Sequence, residues 1–319
     1  MQEMTLKHTI KTRRFLNENH DSCTICGNVF KESETTHLGY LENGELAYLG
    51  DCCSSKLKET IIRHSFSKRP YTIPDKDTII WRFMDFTKFI SLISSNSLFF
   101  TRADKFEDPF EGAKGLKKNK NKWDKHYLEF IEQAHKNPPE GIDFKLTDKQ
   151  IKIESKRVLA EMESGGIEDI KKTFINCWHE NEFESEAMWK LYTNNMSEGI
   201  AIQTTYDRLY RSLNKNPSID IGRVNYIDFN TSFAGVNDSF WYKRKSFEHE
   251  KEVRAIYFDF KEEYDFGKPI KVNINTLIQK IYVSPTAQNW FLEVVKETIG
   301  KYNLKKKIYQ SNMKAEPFH

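Results

Sequence analysis

Four of this chain's five cysteines, Cys23, Cys26, Cys52 and Cys53, fall in one short segment near its start, and they constrain its fold more than any other feature. A two-residue gap lets both sulfurs of Cys23 and Cys26 reach one ion from a tight turn, and zinc takes four thiolate or imidazole ligands in a tetrahedron. The second pair is adjacent, so its side chains start in different directions. Either both bind, or one is a bystander and His37, His20 or Asp51 completes the set. Five cysteines make an odd number for a disulfide framework, and thiols clustered at short spacing in a reducing compartment hold metal. A site closed by four protein ligands is structural, holding together a segment too small to fold on its own core.

Between the two pairs, residues 37–40 and 46–49 are short β-prone runs joined by Asn43-Gly44, which predicts a hairpin. Beyond Cys53 the run SSKLKETIIRH has helical periodicity, with Ser54 and Ser55 suited to open a helix. Knuckle, hairpin and ligand-bearing helix together resemble a treble-clef zinc finger. Pro70 and Pro74 then mark a linker, because each proline pushes its predecessor out of helical geometry. The expected division is a zinc-binding module over residues 1–70 and a main domain over 71–319.

No stretch approaches the roughly 18 apolar residues of a membrane span, and MQEMTLKHTIKTRRF has no secretory apolar run. The expectation is a cytoplasmic protein without a membrane partner. A net charge of +3 does not by itself point to nucleic acid. Two basic runs, Lys117 to Lys125 and Lys301 to Lys307, read as solvated faces.

In the main domain IIWRF predicts a buried strand, DFTKFISLISSN an amphipathic helix closed by Asn96, and LFFTRA a second strand. Residues from about 114 to 172 are charged and helical in period, a helical insertion. TFINCWH, GIAIQT, GRVNYIDF, EVRAIYFDF, KPIKVNI and KIYVS read as strands, with one helix through Ser185 to Tyr192 and another near the end. Strands outnumber helices without alternating with them, so the expected class is α+β with a mixed sheet. Cys177 reads as a core thiol, Met188 and Trp189 as core residues, and Asp108-Pro109 as a turn.

Several motifs occur together: Trp81-Arg82-Phe83, Phe106-Glu-Asp108-Pro109-Phe-Glu111, Ser185-x-x-Met188-Trp189-x-x-Tyr192 and Glu250-x-Glu252-x-Arg254. Jointly they resemble a widespread bacterial family known as a domain of unknown function. More distantly the order resembles ADP-ribosyltransferases, in which a first strand carries an Arg or His and a late strand supplies a catalytic Glu, often as Glu-x-Glu. That resemblance implies NAD as substrate and an ADP-ribosyltransferase-like sheet. It makes Glu252 the catalytic carboxylate, Glu250 the acceptor-orienting one and Arg82 the dinucleotide anchor. Ser185 would stand at the family's small hydroxyl position, and Tyr192 could stack on nicotinamide.

The function so implied is ADP-ribosyl transfer to a macromolecular acceptor, RNA, DNA or protein, by a bacterial toxin or antiphage effector. An antitoxin or other regulatory protein would control it. Two other readings stay open. One is a non-catalytic zinc-finger protein that binds nucleic acid or a phosphorylated ligand around Arg82 and Arg254. The other is a metal-dependent nuclease using Asp108, Glu111, Glu250 and Glu252. Taken alone, the alternation of Glu250, Glu252 and Arg254 with apolar residues describes the solvent face of a half-exposed strand.

Overall fold

The structure, a computed structural model, describes residues 22–31, 34–65, 70–137, 146–194, 196–216, 218–236, 238–259, 264–315 and 318. The chain divides into two compact units, Met1–Pro70 and Tyr71–His319. Among the described residues no helix is long and apolar enough to cross a membrane.

The front unit is a three-stranded antiparallel sheet in the order β2-β1-β3, with β1 (Thr35–Leu41), β2 (Leu46–Gly50) and β3 (Leu57–Ser65). Its hairpin closes where the Gly44 amide donates to the Leu41 carbonyl at 2.9 Å and the Leu41 amide to the Glu45 carbonyl at 2.9 Å. Gly44 has φ +81°, the left-handed step that ends a three-residue hairpin loop. The helix expected after Cys53 is not there. One 3-10 turn (Ser54–Lys56) leads directly into β3, which pairs with β1 from Leu41↔Leu57 to Thr35↔Ser65. A helix would have left the second edge of β1 without hydrogen-bond partners, and β-branched Thr60, Ile61 and Ile62 favour the extended state. The treble-clef expectation fails with that helix. Phe30, Leu38, Tyr48 and Leu49 form a small core together with Cys23 and Cys53.

The second unit opens with β4 (Ile79–Asp85), α1 (Phe86–Ser95) and β5 (Ser97–Arg102), and Asn96 at φ 48° closes the helix. The insertion is a helix pair, α2 (Lys120–Lys136) and α3 (Asp148–Lys172), packed through Trp123, Ile131 and Leu159. A capping box between Thr147 and Gln150 starts α3. Then come β6 (Thr173–Glu180), α4 (Glu186–Tyr192), β7 (Gly199–Thr205), α5 (Tyr206–Ser212), β8 (Ile219–Arg223), β9 (Asn225–Ile227) and β10 (Tyr242–Arg244). The chain continues through β11 (Glu252–Phe258), β12 (Gly267–Lys271), α6 (Ile274–Leu277), β13 (Lys280–Val283), α7 (Asn289–Lys301) and β14 (Ile308–Gln310). GRVNYIDF is not one strand. It breaks at buried Val224, whose amide goes to the Glu252 carbonyl, so that β8 pairs with β11 while β9 pairs in parallel with β10.

Nine strands form a mixed α+β sheet that branches at β6. One edge of β6 runs along the whole of β11. The other is shared: β5 pairs at Phe174 and Ile175, and β4 pairs at His179 and Glu180. Between those contacts the two branches, β12-β5 and β4-β7-β13-β14, part. Side chains fill the gap, since Arg82 Nη1 donates to the Cys177 carbonyl at 2.6 Å and Asn176 Nδ2 to the Phe99 carbonyl at 2.9 Å. Ladder acceptors that lose a strand partner thereby keep a donor. One sheet face carries the main core with α1 and α7, centred on Phe89, Trp178, Val253 and Phe291. The opposite face packs Trp81 and Phe83 under Met188 and Trp189 of α4, and Ile175 and Ile256 under Phe240 and Trp241.

Candidate functional site

In the front unit the sulfurs of Cys23, Cys26, Cys52 and Cys53 all lie within 4.8 Å of one another, with Cys26 and Cys52 at 3.5 Å. Four sulfurs about 2.3 Å from one zinc would stand about 3.8 Å apart, so the set fits a tetrahedral ion. The Cys23 thiol is buried, which opposes ionisation, yet amides of Cys26, Gly50 and Ile25 point at its sulfur and bring it down to about 6. Cys52, crowded first by Cys26, is pushed up to about 12. A cation among the sulfurs would relieve that repulsion. His37 is turned away to Asp51, Nε2 to Oδ1 at 2.7 Å, so neither is needed to complete four ligands. His20 lies outside the described residues.

The second centre sits on the sheet face of α4, beside the branch point. Glu252 stands opposite His179, and Arg254 opposite Cys177, so all four side chains share one face. Far from facing solvent, Glu252 is 4% exposed and Arg254 0%. The loop after β5 and the segment 239–250 cover them, which the alternation in sequence does not reveal.

Arg254 uses all five of its N–H donors. Nε reaches Glu252 Oε1 at 2.7 Å and Nη2 reaches Glu252 Oε2 at 3.1 Å. Nη1 and Nη2 bind the two Glu111 oxygens at 2.6 and 3.0 Å, and Nη1 also reaches the Phe240 carbonyl at 2.6 Å. Lys243 of β10 bridges Glu250 Oε2 and Glu252 Oε2, the latter at 3.3 Å. The Tyr226 hydroxyl accepts the Glu252 amide at 2.7 Å and pins the start of β11. Just before it, Lys251 turns the chain with φ 40°, a left-handed conformation unfavourable for lysine and held here by the surrounding bonds.

Burial opposes ionisation of Glu252, but Arg254 and Lys243 outweigh it and hold the carboxyl at about 2. The same carboxylates keep Arg254 charged despite burial. Burial pushes the Cys177 thiol well up, with Glu252 adding to it, so Cys177 supplies no thiolate. Tyr192, at the end of α4, is likewise held protonated by burial and then by Glu250. Burial pulls Arg82 down from its ordinary value, while Cys177, Tyr192 and Glu252 act on its charge in the opposite direction.

Of the residues expected to form a site, the fold thus brings Glu252, Glu250, Arg82 and Tyr192 to one region. Ser185 caps α4, its hydroxyl accepting the Met188 amide at 3.3 Å. The carboxylates of the nuclease reading do not converge as metal ligands. Glu111 and Glu252 face Arg254, Glu250 faces Lys243, and Asp108 Oδ1 takes Arg244 Nη2 at 2.7 Å together with the Phe110 amide at 3.0 Å.

Three partners carry no sequence signal. Lys243 lies in a three-residue strand, and Tyr226 is one of many tyrosines. His179, 6% exposed, donates from Nδ1 to the Glu250 carbonyl at 2.6 Å, and its Nε2 is buried without a hydrogen bond. Burial pulls its pKa down, so the ring is neutral with a lone pair on Nε2.

No protein-family model matches the chain and no curated protein matches it, so the likeness to a bacterial family stands on the quoted motifs alone. Among the solved structures that resemble it, all distantly, are two of one protein. Thermus sp. 2.9 DarT in complex with carba-NAD+ is 8% identical with a TM-score of 0.34, covering 75% of this chain and 98% of that one. Thermus sp. 2.9 DarT in complex with ADP-ribosylated ssDNA is 11% identical with a TM-score of 0.33, covering 77% and 98%.

Proposed function

We propose that the chain transfers ADP-ribose from NAD to a macromolecular acceptor, with the cysteine cluster as a structural zinc site. The observation that carries this is a buried carboxylate, Glu252, held ionised at neutral pH at the branch of the sheet and within electrostatic reach of Arg82 and Tyr192. When the nicotinamide–ribose bond breaks, its electron pair leaves with nicotinamide and positive charge develops on the ribose. A fixed carboxylate stabilises that charge and needs no reorganisation at the moment of reaction. The acceptor nucleophile then bonds to the ribose carbon and loses a proton. Glu250 suits that second role: one oxygen binds Lys243, and the other makes no hydrogen bond among the described residues. Arg82 would hold the diphosphate through donors other than the one given to Cys177. Action as a toxin or antiphage effector under an antitoxin belongs to the same reading.

One observation favours the non-enzymatic alternative, a binding module for nucleic acid or a phosphorylated ligand. Both Glu252 oxygens are already engaged by Arg254 and Lys243, as in a buried structural ion cluster. The deciding experiment incubates the purified protein with labelled NAD and a cell lysate, alongside Glu250→Gln and Glu252→Gln, with nuclease and protease digestion of the product. Wild-type labelling lost in a folded Glu250→Gln protein supports transfer and identifies the acceptor. Absence of both labelling and NAD loss in the wild type would favour the binding module.

A further inference from the structure

Away from the ionic cluster, the helical insertion borders an open pocket of about 380 Å³ between α2, α3 and the loop that follows Glu111. Its size falls in the range of small-molecule sites, roughly 300–1,000 Å³. We infer that this pocket binds a small aromatic ligand carrying one anionic group, of mononucleotide size or less.

The aromatic part follows from the walls. Trp123 and Phe233 line the pocket with Ile170, all contributed from within the second unit. The anionic part follows from Lys114. Its ammonium stands 4.8 Å from the Trp123 ring centre and makes one hydrogen bond, to the Met162 carbonyl at 3.0 Å. An ammonium has three donors, and no carboxylate is bonded to this one. Spare donors on a half-buried cation beside aromatic walls offer an anion what bulk water would otherwise supply. The rim carries Lys117 and Lys120, the latter already paired with Glu163 and Asp124, while Glu163 and Asp169 act on the Lys114 charge without bonding to it.

Gly166 adds an independent observation. It lies inside α3, where glycine costs about 1 kcal/mol relative to alanine, so its presence there asks for a reason. A Cβ at this position would sit 2.6 Å from Lys114 Nζ. A side chain here would have to displace the end of Lys114 from its present position.

The test uses the full chain and two dyes, 8-anilinonaphthalene-1-sulfonate and its uncharged analogue N-phenyl-1-naphthylamine, followed by fluorescence titration. Expected are one saturable sulfonate site per chain and at least about tenfold weaker binding of the neutral dye, each factor of ten corresponding to about 1.4 kcal/mol. Lys114→Met should erase that preference. Gly166→Leu should abolish binding while far-UV circular dichroism shows the helices intact, because leucine in a helix interior is favourable. Equal affinity of both dyes for the wild type, or sulfonate binding unchanged in both variants, or no binding at all, would overturn the inference. None of these readouts depends on NAD turnover.

Discussion

Glu252→Gln tests the ionic cluster most directly. An unperturbed glutamate titrates near 4.5, and Arg254 with Lys243 holds this one at about 2. At about 1.4 kcal/mol per pKa unit, the difference amounts to about 3 kcal/mol of stability carried by the ionised form. Its sign is fixed by the direction of the shift. The folded pKa is depressed, so the contribution is complete above the unfolded value, near 4.5, and is lost as pH falls towards 2. Glutamine keeps the shape but not the charge, so at pH 7 the variant should lose about 3 kcal/mol, and the gap to wild type should close on acidification. All six tryptophans, Trp81, Trp123, Trp178, Trp189, Trp241 and Trp290, lie beyond Pro70, so urea unfolding followed by tryptophan fluorescence reports the second unit alone. A loss below about 1 kcal/mol at pH 7, or a gap that stays constant from pH 7 to pH 2.5, would refute the assignment of Glu252 as an ionised partner of Arg254.

Other outcomes follow from the same geometry. Cys26→Ser should abolish stoichiometric zinc by elemental analysis and destabilise the front sheet, while the tryptophan signal of the second unit stays unchanged, because the four sulfurs are the only such group of ligand atoms among the described residues. Ser185→Ala should cost about 1 kcal/mol in urea unfolding through the lost cap of α4 and leave any NAD affinity intact, which separates its observed role from the one first expected. His179 should show the Nδ1–H tautomer in nitrogen NMR spectra and titrate below the ordinary histidine range, since burial pulls its pKa down and Nδ1 donates to the Glu250 carbonyl.

How much was legible in the sequence divides along a physical line. Signals that act over a few residues were there to read: the Cys-x-x-Cys turn, the Gly44 hairpin, Asn96 ending α1, and the strand periods of β4, β6 and β7. Local propensity misjudged β3, because the free edge of β1 decided its conformation, and it joined β8 to β9 across a break made by the Glu252 carbonyl. It also offered Glu252 and Arg254 as a solvent face, since alternation distinguishes two sides of a strand without saying which side is covered.

Sequence by itself determined the composition of both centres in outline: four thiols close enough along the chain to meet, and a Glu-x-Glu-x-Arg motif running into a strand whose period of two puts Glu252 and Arg254 on one face. Only the tertiary structure decided what that strand means. Glu111 comes from 143 positions away and Lys243 from a strand of three residues, and together they turn what reads as an exposed charge pattern into a buried ion cluster around Arg254. Burial is a property of what packs on top, and the stretches that pack there share no pattern with the strand they cover.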